Sequence, residues 1–132
     1  YRHCLAGQLL AEDERFDVVI NAEVVEHVPD QAALINDCAR LVKPSGSLVL
    51  ATLNRTVKSW IIAILGAEYV MRYLPIGTHD WKMFVKPEEL AGWVAPEHFK
   101  LVNETGMKLN PITGVWRLSY SLAVNYIQIY RR

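Results

Sequence analysis

The stretch Phe16-Asp-Val-Val-Ile-Asn-Ala22, followed by Glu23-Val-Val-Glu-His-Val-Pro-Asp30, decides the fold. Its first part is a short, β-rich apolar run, which predicts a buried strand over Asp17–Ala22. Its second part brings two carboxylates and an imidazole to the end of that strand, where ligands of open α/β sheets bind. If the chain turns helically after Ala22, then Glu23, Glu26 and His27 stand at i, i+3 and i+4 and share one face. The stretch therefore predicts a cluster of metal-binding or proton-transferring groups beside a ligand crevice.

A helix and a second strand follow this stretch. Asp30 is a good N-cap, and after it apolar residues recur at helical spacing: Leu34, Ile35, Cys38, Leu41 and Val42. Pro44 cannot continue a helix and restricts the residue before it, so the helix should end before Lys43. Ser47–Thr52 then predicts another buried strand. A strand–helix–strand unit with short connections predicts a parallel sheet.

The rest of the chain alternates one long apolar segment with short elements. Thr56–Leu74 is strongly apolar and predicts mainly helix, and Pro87, followed by acids, predicts the start of a short helix ending near Trp93. Three further strands are expected, over 99–106, 115–118 and 123–130. The pattern is that of an α/β fold.

Composition restricts the function classes. The chain has 132 residues, 52 % of them hydrophobic, with no net charge, which fits one domain and argues against a nucleic-acid partner. Residues 1–40 hold eight acids and three bases, a net of −5, so residues 41–132 carry +5. The basic part favours an anionic surface. Cys4 and Cys38 have no metal-site spacing and fit reduced thiols in an intracellular protein.

Several motifs together resemble a known family. Glu23–Asp30 and Leu41-Val-Lys-Pro-Ser-Gly46 resemble the second half of a class I S-adenosylmethionine-dependent methyltransferase. Later blocks are similar to the ubiquinone-biosynthesis O-methyltransferases. They are Ala51–Thr56, Lys58-Ser-Trp60, Gly66-Ala-Glu-Tyr69, Gly77-Thr-His-Asp-Trp81, Lys86–Leu90, Asn110-Pro-Ile-Thr113 and Val124-Asn-Tyr126. The resemblance runs from about Phe16 to Tyr130.

The resemblance implies a Rossmann-like, seven-stranded methyltransferase sheet whose last strand is antiparallel. Residues 1–132 would be the C-terminal part of a single domain, supplying strands four to seven with flanking helices and an apolar helical insert at about 56–74. The family's glycine-rich cofactor loop and ribose-binding acid would lie upstream of position 1. We therefore expect the chain to be a fragment that exposes an unpaired sheet edge.

The resemblance also implies the chemistry of the site. Ala22 would line the pocket for S-adenosylmethionine, the methyl donor, while the simpler interpretation is a packed strand residue. Glu23, Glu26 and His27 match positions proposed to hold Mg²⁺, which prefers oxygen ligands and makes His27 the weak member. Alternatively, His27 is the catalytic general base. A third interpretation makes Glu26 and His27 only a hydrogen-bonded turn. The substrate would be a polyprenylated catechol methylated on a ring hydroxyl.

The uncharged stretch Ser59–Ala67, within the segment 59–74, is too short to cross a bilayer, and basic residues surround it. A core helix is the simpler interpretation, but the greasy substrate implied by the family favours an interfacial helix on a membrane. In a eukaryote the family's enzymes sit on the matrix face of the mitochondrial inner membrane with other ubiquinone-biosynthesis proteins. A bacterial enzyme would be cytoplasmic and membrane-associated.

Further alternatives remain open at this point. The chain could belong to a methyltransferase for another small acceptor, or to a cofactor-free module that binds lipid or partner proteins. His79-Asp80 forms a second polar pair, either on the substrate side or as the cap of the following turn.

Overall fold

The computed structural model describes residues 2–62, 80–110 and 113–132. Its helices are α1 (Ala6–Ala11), α2 (Gln31–Arg40), the single turn α3 (Val57–Ser59) and α4 (Pro87–Val94). Its strands are β1 (Phe16–Ala22), β2 (Val42–Leu53), β3 (Lys100–Leu109), β4 (Trp116–Ser119) and β5 (Asn125–Arg131). Within these described ranges, three 3₁₀ turns cover Val25–His27, Trp81–Met83 and Ala95–Glu97.

The predicted strand–helix–strand unit is confirmed. β1 pairs with β2 in parallel, and Ala22 lies opposite Ala51 at the carboxyl ends of the two strands. The Asp30 carboxylate accepts a hydrogen bond from the Ala33 amide at 3.0 Å, so it caps α2 as its sequence position predicts. The helix ends at Arg40, before Pro44, while β2 begins earlier than expected, at Val42.

The remaining strands are antiparallel. The order across the sheet is β1-β2-β5-β3-β4, and β5 runs antiparallel to both β2 and β3. The predicted α/β fold with an antiparallel last strand is therefore confirmed. Helix α4 also begins as predicted, with Pro87 in its first turn and the Glu89 carboxylate accepting from the Lys86 amide at 2.9 Å.

The core lies on one face of the sheet. Leu48 and Leu50 of β2 and Tyr126 and Tyr130 of β5 point to this face and pack in one cluster with residues of α2 and α4. Burial of large apolar side chains is the main source of stability in such a cluster. Ile35, on α2, is completely buried there. Packing in this core fixes the positions of β1 and β2, and therefore the position of their carboxyl ends.

The opposite face is less covered. Val18 and Ile20 of β1 are 55 % and 66 % exposed, and β1 has no second neighbour among the described strands. The prediction of a buried strand over Asp17–Ala22 is therefore wrong in burial, because only Asn21 is buried along it. The exposed edge itself is as expected.

Only the beginning of the apolar insert lies within the described residues. Trp60, Ile61 and Ile62 follow α3 and are each at least 40 % exposed. Residues 63–79, including His79, lie outside the described residues. No helix in the described parts of the chain is long and apolar enough to span a bilayer.

Candidate functional site

The predicted site lies where β1 ends beside β2. Ala22 is the last residue of β1 and is exposed, and the Glu23 amide donates to the Ala51 carbonyl at 2.9 Å. Small side chains at both positions let a flat group approach the backbone closely. The parallel strands end together, as the binding crevice of an open α/β sheet requires.

The turn after β1 differs from the predicted one. Glu23 adopts a left-handed conformation with φ of 53°, and the helical turn begins only at Val25. The helical spacing expected from Glu23 to His27 is therefore wrong. A non-glycine residue with positive φ is uncommon and carries some strain, and such residues concentrate at ligand sites.

The turn separates the three predicted side chains by burial. Glu26 is only 3 % exposed, whereas Glu23 and His27 are exposed. The Thr52 hydroxyl donates to Glu26 Oε2 at 2.7 Å. The first helical residue, Val25, is buried in the core and anchors the turn.

The two carboxyl groups interact. Burial of its carboxyl group, together with the neighbouring Glu26 carboxylate, raises the pKa of Glu23 to about 8, although the residue as a whole is exposed. The negative charge of the Glu26 carboxylate disfavours ionisation of Glu23, and Glu26 accepts a hydrogen bond from the protonated Glu23 carboxyl. With Glu23 ionised, Glu26 Oε1 is buried without a donor among the described residues. The Glu23 carboxyl therefore keeps its proton near neutral pH.

Two carboxylates in this arrangement fit a divalent cation, because a cation would satisfy the buried Glu26 Oε1 and relieve the repulsion between the charges. The single helical face that the sequence predicted for Glu23, Glu26 and His27 does not form. Within residues 2–62, 80–110 and 113–132, no group of three His, Cys, Asp or Glu side chains is arranged to hold a metal ion. The Mg²⁺ site on Glu23, Glu26 and His27 stays a prediction, as does the cofactor role of Ala22.

Two buried polar residues that motif reasoning did not select lie near the carboxyl ends of β1 and β2. Thr52, fully buried at the end of β2, orients Glu26. Asn21, 6 % exposed, lies 4.0 Å from the Cys38 sulfur through its amide nitrogen, and its Oδ1 has no partner among the described residues. Burial raises the pKa of the Cys38 thiol. The sequence signal that could have identified Asn21 and Thr52 is a polar residue near the end of each of two adjacent apolar strands.

Of the second predicted polar pair, His79-Asp80, only Asp80 lies within the described residues. Asp80 accepts a hydrogen bond from the Lys82 amide at 3.0 Å and caps the 3₁₀ turn Trp81–Met83, as the simpler interpretation predicts. The Trp81 indole then donates to the Thr56 carbonyl at 3.0 Å, which joins this turn to the start of α3.

Sequence relatives support the resemblance stated from the motifs. The chain is 45 % identical over its full length to a ubiquinone biosynthesis O-methyltransferase of Bartonella tribocorum, covering 53 % of that protein. It is 48 % identical over 96 % of its length to the protein of the same name from Caulobacter vibrioides, covering 51 % of it. The chain spans about half the length of the curated relatives that it matches. The resemblance is confirmed.

Solved structures share the fold at low identity. A methyltransferase of Thermotoga maritima, described as a possible histamine N-methyltransferase, superposes with a TM-score of 0.61 at 14 % identity, over 89 % of this chain and 56 % of that one. Magnesium protoporphyrin IX methyltransferase of Synechocystis, solved with S-adenosylhomocysteine, gives 0.59 at 17 % identity, over 90 % and 46 %. A family model described as a methyltransferase domain matches residues 3–108. The parallel strand pair and the acidic turn at its carboxyl end agree with this match. The chain belongs to the methyltransferase domain family.

Proposed function

We propose that the protein is an S-adenosylmethionine-dependent O-methyltransferase of ubiquinone biosynthesis that methylates catechol hydroxyls of polyprenylated intermediates. The relatives' name supports the reaction and the pathway. The single observation that carries the proposal is the Glu23–Glu26 carboxyl pair directly after Ala22, at the carboxyl end of the β1–β2 pair. The catechol class rests on the family resemblance.

The residues divide the work as follows. Exposed Ala22 leaves room for the methyl donor against the end of β1. In the transfer, the catechol oxygen loses its proton and forms a bond to the methyl carbon, and the carbon–sulfur bond of the donor breaks. In the alternative without a bound metal ion, His27, exposed beside the buried Glu26, takes the proton as general base. The reaction needs an in-line approach, so rigid placement of the acceptor contributes much of the rate.

Glu23 and Glu26, with His27 as a third ligand, would hold Mg²⁺. When bound, the ion lowers the pKa of the ring hydroxyl and fixes the attacking oxygen. The buried oxygen of Glu26 supports a cation here, as does the pKa of Glu23, which burial and then the neighbouring Glu26 charge raise. The Thr52 hydroxyl donates to Glu26 Oε2 and orients this carboxylate.

The site is tested in the full-length protein that contains this chain, with S-adenosylmethionine and a panel of prenylated catechols and simpler acceptors. We expect methylation of the catechols, lost on chelation and restored by Mg²⁺. Unchanged activity after chelation would remove the metal and leave His27 as base. Glu26→Gln should lower kcat by about 100-fold or more, whereas Glu88→Gln, exposed on α4, should not.

Titration with S-adenosylhomocysteine separates the remaining interpretations. Binding without methylation of any catechol would indicate another acceptor. Failure of the full-length protein to bind would favour a cofactor-free module that binds lipid or partner proteins.

We further propose that the segment 59–74 lies on a membrane and admits the prenyl tail. Trp60, Ile61 and Ile62 are exposed apolar side chains, and Lys58 precedes them. In a mitochondrion the protein would be peripheral on the matrix face of the inner membrane, beside other ubiquinone-biosynthesis proteins. In a bacterium it would be cytoplasmic and membrane-associated.

Flotation with cardiolipin-containing vesicles tests this surface. We expect Trp60→Glu with Ile62→Glu to abolish binding, and Ile20→Glu, which changes a more exposed apolar residue on β1, to leave it unchanged. If the double variant floats like the parent protein, the membrane surface lies elsewhere.

A further inference from the structure

The side chain of Gln31 joins two turns that are far apart in sequence. Gln31 is the first residue of α2, and its side-chain nitrogen donates to the Val25 carbonyl at 3.1 Å and to the Met83 carbonyl at 2.6 Å. Both partners are acceptors, so the amino group of the side-chain amide faces them and uses both of its hydrogens. One half-buried side chain thus connects the acidic turn (residues 23–27) with the turn Trp81–Met83, whose last residue lies 52 positions further along.

The contact with Val25 fixes the backbone beside the buried carboxylate. The Val25 carbonyl belongs to the peptide unit that leads directly into Glu26. At the other end of that residue, the Thr52 hydroxyl donates to Glu26 Oε2 at 2.7 Å. Gln31 therefore holds the backbone of Glu26, and Thr52 holds its carboxylate. The position of this carboxylate depends on both contacts.

The contact with Met83 ties the acidic turn to a firmly packed segment. The two residues that follow Met83 are at most 1 % exposed. The Val85 amide donates to the Leu53 carbonyl at the end of β2 at 3.1 Å, and the Val85 carbonyl accepts from the Tyr126 hydroxyl at 3.0 Å. These contacts attach the Met83 carbonyl to the sheet. Through Gln31 they also fix the acidic turn.

The turn Trp81–Met83 also marks the base of the apolar segment. The Trp81 indole donates to the Thr56 carbonyl at 3.0 Å, so the residues that come before and after positions 57–80 meet here. The segment 59–74, proposed above to admit the prenyl tail, lies between them in sequence. Gln31 therefore connects the turn that carries Glu26 with the point where this segment is attached to the fold.

We propose that Gln31 is a positioning residue for the methyl transfer, an inference that rests on the proposed function. A prenylated acceptor would have its ring at the acidic turn and its tail at the apolar segment. By holding the turn against the base of that segment, Gln31 keeps the Glu26 carboxylate in one place relative to the acceptor. In-line transfer depends on such placement, so a small displacement lowers the rate of transfer while the methyl donor still binds.

Two substitutions separate this role from a role in starting α2. Gln31→Met keeps the length of the side chain and removes both donors without adding a charge. Gln31→Lys restores donors that can reach two carbonyls, but a lysine at the first position of a helix is disfavoured by the helix dipole. A residue that only started the helix would therefore tolerate Lys no better than Met. A positioning donor would tolerate Lys better.

Steady-state kinetics of the full-length protein with a prenylated catechol measure the effect. We expect Gln31→Met to lower kcat by about tenfold or more while the KM for S-adenosylmethionine changes by less than about twofold, and Gln31→Lys to recover most of the loss. Gln8→Met is the matched control, because the Gln8 side chain accepts from the Leu5 amide at 2.8 Å in the first turn of α1. Its kcat should equal that of the parent protein. Equal losses for Gln31→Met and Gln31→Lys would overturn the proposal.

Hydrogen exchange followed by mass spectrometry tests the bridge without catalysis. Both turns contain bonded amides, since the His27 amide donates to the Val24 carbonyl and the Met83 amide to the Asp80 carbonyl, each at 2.9 Å. In Gln31→Met we expect exchange in both turns to become about tenfold faster, which is the effect of losing one or two ordinary hydrogen bonds. Unchanged exchange in β5 would show that the variant stays folded.

The two measurements separate failure of this proposal from failure of the proposed function. Faster exchange confined to α2 would mean that Gln31 only starts the helix, and the proposal would be wrong. A parent protein that methylates no catechol would contradict the proposed function, whereas joint loosening of the two turns would still support the bridge.

Discussion

At the scale of single residues, the carboxyl group of Glu23 should make the stability of the fold depend on pH. Its pKa is raised to about 8 by burial and by Glu26, above an ordinary value of about 4.3. Between these values the folded chain holds a proton that the unfolded chain has released. The stabilisation from this group is therefore complete below about pH 4.3 and is lost as the pH rises to about 8.

Urea denaturation across this pH range measures the effect. Glu23→Gln mimics the protonated carboxyl, so its free energy of unfolding should fall less steeply with rising pH than that of the parent chain. Glu88→Gln, on the exposed surface of α4, should keep the parent slope. Identical slopes for Glu23→Gln and the parent chain would show that Glu23 titrates as an ordinary glutamate.

The hydroxyl of Thr52 should stabilise the site by satisfying Glu26. Both residues are buried, and the hydroxyl donates to Glu26 Oε2 at 2.7 Å. Thr52→Val keeps the shape of the side chain but leaves that oxygen without its donor, so we expect a loss of about 1–3 kcal/mol in the free energy of unfolding. Thr52→Ser retains the hydroxyl and should lose less. The order would be reversed if the methyl group of Thr52 contributed more than its hydroxyl.

At the scale of secondary-structure elements, Gly106 should be required for the connection from β4 to β5. A Cβ atom on Gly106 would lie 1.9 Å from the Ser121 carbonyl oxygen, so any side chain must displace the backbone. Gly106→Ala should lower the free energy of unfolding by about 1–3 kcal/mol, which is the usual cost of overpacking.

Gly92 is the matched control, because it lies within α4 and a Cβ atom there meets nothing within 4 Å. Gly92→Ala should raise stability by about 0.5–1 kcal/mol through helix propensity. Chemical denaturation of the two variants measures both changes. Similar values for the two would show that the connection shifts away from β3 at little cost.

The same elements show what sequence reasoning could predict here. The order β1–α2–β2 followed from local signals, because apolar spacing, the Asp30 cap and Pro44 each act within a few residues. The close approach of Ser121 to Gly106 carried no such signal. It depends on how the chain crosses β3 after β4.

The candidate site was only partly predictable, because local signals placed it but long-range contacts determine its geometry. Its position at the end of β1 followed from the sequence, but its internal geometry did not. The left-handed conformation of Glu23 has no marker in a non-glycine residue. The burial of Glu26 depends on Thr52, 26 positions away in a different strand. Sequence spacing therefore identified the two carboxylates but not the conformation of the turn that carries them.

At the scale of the whole molecule, the last residue joins parts of the chain that are far apart in sequence. Arg132 donates to the Val42 carbonyl at 2.8 Å and to the Ala39 carbonyl near the end of α2 at 3.4 Å. It also pairs with Glu97 at 3.2 Å and lies over the Phe99 ring at 5.6 Å. A cation that satisfies carbonyls at the end of a helix is favourable. The two contacts with carbonyl groups span 90 residues or more, so they should affect the cooperative unfolding of the entire sheet.

Arg132→Ala should therefore lower the midpoint and the free energy of global unfolding, by about 1–3 kcal/mol, because hydrogen bonds from charged groups are among the stronger ones. The stability of Arg132→Lys should lie between those of the parent chain and Arg132→Ala, since an ammonium group cannot bridge Glu97 and two carbonyls as a planar guanidinium does. The adjacent and exposed Arg131 is the control, and Arg131→Ala should change stability by no more than about 0.5 kcal/mol. Urea denaturation followed by both circular dichroism and tryptophan fluorescence measures the effect. Equal losses for Arg131→Ala and Arg132→Ala would mean that net charge, rather than the bridge from β5 to α2 and β2, sets the contribution of this end of the chain.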